Sequence, residues 1–135
     1  MSQKDTNSPY FYPEKEERLN ILSHWYGFLC SVICFPFLIV KSVSTGDPIY
    51  IFSLTIFGIT LMLMFITSTM YHRSIDPKER NRYGILDMFA IYTMIAGSYT
   101  PYALVLLQGQ RGWILFGLIW SIALLGILWK SFTFG

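Results

Sequence analysis

Ser68 and His72 stand four residues apart at the end of one long apolar run, and Asp87 interrupts another. Glu17, Asn20 and His24 follow one another at spacings of three and four at the start of a third. Residues three or four apart share a helix face, so each set presents its groups together. A carboxylate, two imidazoles and a hydroxyl at one level suit two kinds of chemistry. Histidine binds zinc through one ring nitrogen while the other needs an orienting partner. A carboxylate near a hydroxyl and an imidazole can move protons in a hydrolytic step. Each residue also has a plainer role open to it. A histidine can mark a membrane interface, a serine can bond back to its own helix, and Glu17 with Asn20 can form a solvated first turn. Asp87 is the hardest to read that way, because apolar residues surround it.

The elements that carry these residues follow from composition. The chain has 135 residues, 53% of them hydrophobic and only 13% charged. A soluble domain carries about twice that share of charge. Residues 22–40, 49–71 and 112–129 contain no Asp, Glu, Lys or Arg, and residues 85–107 contain only Asp87. A spanning helix takes roughly 20 mostly apolar residues. The runs are continuous rather than alternating, so they read as helices and not as barrel strands. The expected fold is all-α, a polytopic transmembrane bundle with helices at about 22–41, 49–71, 85–107 and 112–130. Residues 1–21 form a polar N-terminal segment and residues 22–135 the membrane domain. Residues 1–21 hold no apolar core followed by a small-residue cleavage site, so the first helix is expected to act as an uncleaved insertion signal.

Charge sets the orientation. Eight of the ten basic residues fall in the N-terminal segment, in the loop after the second run (Arg73, Lys78, Arg80, Arg82) and at Lys130. In an up-and-down chain these regions share one side, which the positive-inside rule makes cytoplasmic. The opposite side has Lys41 and Arg111. No dense basic tract argues for nucleic acid. Cys30 and Cys34 lie within the first run and read as small packing residues rather than a bridge. Pro13 ahead of an acidic run marks a helix start, as does Asp76-Pro77 with Glu79 three residues past the cap. "STGDP" (44–48) and "LQGQRG" (107–112) read as turns. Pro101 should kink the third helix by removing its bond to residue 97. Trp25, Tyr71, Trp113 and Trp129 suit an aromatic belt.

Together, "EERLNILSHWYG" (16–27), "STMYHRS" (68–74), "LDMFAIYTMIAGSYTPY" (86–102) and "GWILFGLIWSIALLGILWK" (112–130) resemble the hemolysin III family from Glu16 onward. That family is grouped with the progestin and adiponectin receptors and more remotely with alkaline ceramidases. The resemblance implies a seven-helix fold with a zinc ion held by the histidine of helix two and a histidine pair on helix seven. It implies that His72 is a zinc ligand, that Asp87 lies beside the zinc-bound water and that Ser68 is a nearby hydroxyl, so that Asp87 and Ser68 are the catalytic candidates. Glu17, Asn20 and His24 match a recurrent feature of bacterial members with no assigned role. The chain has two histidines, His24 and His72, and no counterpart of the helix-seven pair. It therefore resembles a C-terminally truncated member. The expected function is a zinc-dependent membrane hydrolase of lipid amides or esters, or a remnant of one, in a bacterial plasma membrane with its N-terminus in the cytoplasm. The alternatives are a pore-forming, cytolytic protein and a receptor-like protein whose metal only staples helices. Lipid is the expected partner, and nothing in the sequence sets an oligomeric state.

Overall fold

The computed structural model describes residues 12–133. Four helices account for nearly all of them: α1 (Glu14–Val43), α2 (Pro48–Arg73), α3 (Pro77–Pro101) and α4 (Gly109–Thr133). Each of the four spans is long and apolar enough to cross a membrane, the third counted through Leu107. The four runs expected from the sequence are thus all present, with every helix longer than its run. At 1.5 Å per residue the 30 residues of α1 extend about 45 Å, against a hydrocarbon core of about 30 Å. The surplus includes Glu14–Asn20, which falls inside the polar N-terminal segment and carries the first turns of α1 beyond the apolar run.

Local chemistry sets the ends. Pro13 precedes α1, and Glu14, Glu16 and Glu17 sit in its first turn, where the helix dipole favours carboxylates. The Asp47 carboxylate accepts from the Ile49 N–H at 2.8 Å and caps α2, with Pro48 opening the helix. Asp76 does the same for α3, accepting from the N–H groups of Lys78 at 2.8 Å and Glu79 at 3.1 Å. Pro101 ends the regular part of α3. The chain continues as a π-helical turn, Tyr102–Leu107, so the disruption expected at Pro101 takes the form of widened winding. Gln108 and Gly109, with φ of 51° and 57°, then turn the chain into α4.

The helices pack in chain order. α2 lies between α1 and α3, α4 packs on α3 and its π turn, and α1 makes no backbone approach to α4 among the described residues. What is inside is small or polar: Ser42, Ser53, Thr60, Thr100, Ala90, Ala96 and Ala103 are buried, while Phe37, Leu106, Leu125 and Trp129 are exposed. In lipid an exposed leucine loses nothing, and close approach of small residues supplies the contacts. Gly58 lies against the Phe35 ring and Gly97 against Thr60, each where a Cβ would collide. The hydroxyls of Ser42, Thr60 and Thr100 donate to carbonyls of their own helices and so need no water. Trp120 Nε1–H donates to the Thr100 hydroxyl at 3.1 Å, joining α4 to α3. Cys30 and Cys34 are unbridged, as read from the sequence, and both are exposed rather than buried against another helix among the described residues.

Candidate functional site

The first turns of α1, the last turns of α2 and the first turns of α3 meet at one end of the bundle. Glu17 is at the centre, 4% exposed. Its Oε2 lies 2.8 Å from His72 Nδ1, and its Oε1 pairs with the Arg80 guanidinium. One carboxylate therefore ties α1 to α2 and α3 together. The Tyr12 N–H approaches the same Oε1 at 3.4 Å. Arg80, 2% exposed, also donates to the carbonyls of Tyr71 and Ser74, both at 3.3 Å, and lies 4.5 Å from the Tyr71 ring centroid. It thus satisfies backbone acceptors that the end of α2 leaves open. The His72 ring is bracketed by Tyr71, with centroids 4.9 Å apart, and Tyr12, at 5.7 Å.

A second group lies one to two helical turns farther along the same three helices. Asp87, half-buried on α3, accepts from the Thr67 hydroxyl at 3.3 Å. The Ser68 hydroxyl sits beside the same carboxylate, and both imidazoles are close enough to interact with it electrostatically. Thr67 and Thr69 donate to carbonyls of their own helix. Ser68 makes no such bond among the described residues, so the plainer role open to it from sequence is not taken. His24 and His72 face each other with ring centroids 6.0 Å apart. The buried Nδ1 of His24 has no hydrogen-bond partner among the described residues. Asn20 is half-buried on the same face of α1.

The structure places Glu17, His24, Ser68, His72 and Asp87 at this end of the bundle, with three further participants that their sequence context does not single out. Thr67 was hidden by its neighbour Ser68. Tyr71 reads from the sequence as an interfacial aromatic, yet its ring lies 4.5 Å from the Arg80 guanidinium and edge-on to His72. Arg80 was counted as one more basic loop residue. The signal for it was its register, since Arg80, Gly84 and Asp87 are spaced four and three apart on one face of α3. Gly84 on that stripe packs against the Tyr71 ring.

Comparison with known proteins decides the family. The sequence model described as haemolysin-III related matches residues 12–134. The chain belongs to that family. It is 36% identical to Hemolysin-3 of Bacillus cereus over 98% of its own length, and 40% identical to the Hemolysin-3 homolog of Bacillus subtilis (strain 168) over 87%. It spans 59% and 55% of those two relatives. No solved structure matches. The chain is accordingly an integral membrane protein of the haemolysin-III related family.

The zinc that the resemblance implies can be set against these side chains. His72 fits a ligand, because one ring nitrogen is held by a carboxylate and the other is left for a metal. The orphaned Nδ1 of His24 is a second available donor. A catalytic zinc takes about three protein ligands, and no three His, Cys, Asp or Glu residues converge as a metal site among the described residues. This stretch therefore fits part of a zinc centre and not a complete one.

Proposed function

We propose that this haemolysin-III related protein contributes part of a lipid-hydrolysing site at the cytoplasmic headgroup level of a bacterial plasma membrane, cleaving an ester or amide bond. The observation that supports this reading is the Asp87 carboxylate, seated within an apolar helix with two hydroxyls and two imidazoles around it. A charge at a helix centre costs about 2.5–3.5 kcal/mol on insertion scales, so such a group persists where it is used or paired. Asp87 would accept the proton of the attacking water. Ser68, whose hydroxyl is not spent on its own helix, would donate to the oxyanion of the tetrahedral intermediate. His72 would be one zinc ligand, and the remaining ligands would come from outside the described residues. Zinc bound there would lower the pKa of its water toward about 7.

The relatives' names speak of haemolysis. A pore needs a polar path through the bilayer, whereas Glu17, His24, His72, Arg80 and Asp87 gather toward one end of three helices. That favours headgroup chemistry over conduction. The test uses the native gene product in nanodiscs with ester- and amide-linked fluorescent lipids. Asp87→Asn should lower turnover by about 10²-fold or more, the usual share of general acid–base catalysis, with zinc content unchanged. Undiminished turnover in that variant sinks the reading. Dye release from liposomes that survives His72→Ala would point to the pore instead.

A further inference from the structure

Glu17 has a property that the residues around Asp87 do not explain. It is a buried carboxylate on the first helix whose two oxygens are divided between two other helices. We infer that Glu17 is the positioning residue for His72: it fixes the imidazole as the Nδ1–H tautomer, with Arg80 holding the carboxylate in place. An ionised carboxylate accepts hydrogen bonds and cannot donate. With Oε1 occupied by Arg80 and Oε2 2.8 Å from Nδ1, the proton in that contact must reside on His72 Nδ1. In the neutral form of the ring that leaves the lone pair on Nε2. Free histidine prefers the opposite tautomer, so this arrangement is imposed by the fold rather than inherited from the residue.

The consequence for the site rests on the proposed reading of His72 as a ligand. If a metal were held there, a ring whose tautomer is already set would offer Nε2 to it without first shifting a proton. The α1 segment Glu14–Asn20 thereby acts on α2 chemistry across a helix interface. Arg80 couples the same ring to α3, because it is anchored at once to Glu17 and to the carbonyls of Tyr71 and Ser74.

The tautomer is measurable without metal or substrate, so failure here and failure of the hydrolase reading are distinguishable. The native protein with ring-15N histidine is placed in nanodiscs with chelator at pH 8. The His72 signals are assigned by their loss in His72→Asn. The expected spectrum shows His72 Nδ1 protonated and Nε2 bare. In Glu17→Gln the amide can donate to Nδ1, and the ring should move to the Nε2–H form. Arg80→Lys keeps a cation beside Glu17 but loses the fork, so it should lower thermal stability while the tautomer holds. A Glu17→Gln protein that keeps Nδ1–H overturns the inference. So does a wild-type ring that is Nε2–H or doubly protonated at pH 8, a result that needs no variant to fold. Loss of stability in Glu17→Gln with no tautomer change would reduce Glu17 to a structural tie and also overturns it.

Discussion

Glu17 and Arg80 show how much one pair of residues can determine at this depth. Removing one member of a buried ion pair leaves the other charged and unpaired, which costs about 3–5 kcal/mol, whereas replacing both with apolar residues is often close to neutral. Glu17→Ala should therefore lower stability by about that amount, and the double variant Glu17→Leu/Arg80→Leu should be more stable than either single change. Reversible unfolding in mixed micelles checks both. A double variant no better than Glu17→Ala, with Arg80→Leu alone mild, would mean that the His72 contact, rather than the charge pair, carries the energy. The hydroxyls divide in a similar way. Thr67 shares its single proton among Asp87 and the carbonyls of Leu63 and Met64. Under the proposed mechanism Ser68→Ala should cost turnover about 10²-fold, and Thr67→Val less. Equal losses would show that both hydroxyls serve Asp87 alike.

The elements owe their positions to caps and to glycines rather than to a large apolar core. Asp76 places the start of α3, and with it the register of Arg80 and Asp87. Asp76→Ala should cost about 1 kcal/mol of stability, read as a lower melting temperature with the helix content kept. Gly112 lies where a Cβ would collide with the carbonyl oxygen of Ala103, in the π turn, while the space beside Gly117 is open. A backbone oxygen cannot rotate away as a side chain can. Gly112→Ala should then destabilise the protein by about 1–3 kcal/mol. Gly117→Ala should be neutral or stabilise by up to about 1 kcal/mol through helix propensity. The difference between the two melting curves is the measurement, and equal curves would mean that α4 can slide along α3 at no cost.

At the scale of the molecule the surface is inverted, with small and polar residues inside and large apolar ones outside. That surface suits a bilayer, and the charge distribution predicts how the chain sits in it. With Cys30 and Cys34 replaced by serine, a cysteine at Ile75 should react with an impermeant thiol reagent only in inside-out vesicles. One at Thr45 should react only in intact cells. The reverse pattern would place the candidate site at the outer headgroups and remove the cytoplasmic lipid pool as its substrate. The chain also spans little more than half the length of its Bacillus relatives, which is why the zinc ligand set is tested on the native gene product.

The sequence by itself determined the four spans, because continuous stretches without charge have no other stable solution in lipid. It also marked the helix starts at Glu14 and Pro77 and a set of candidate residues that share helix faces, though not Thr67, Tyr71 or Arg80. It could not determine which of those residues touch. A basic residue in a loop reads the same whether it meets solvent or a buried carboxylate, and only the packing of α1 and α3 on either side of α2 brought Arg80 to Glu17 and left Asp87 beside Ser68 and Thr67. Pro101 announced a disruption, and the structure gives it the form of a π turn, Tyr102–Leu107. Helix formation and lipid burial are local to one stretch of chain. The geometry of the site depends on the relative rotation of three helices, and that is set by glycines, small hydroxyls and one ion pair acting across their interfaces.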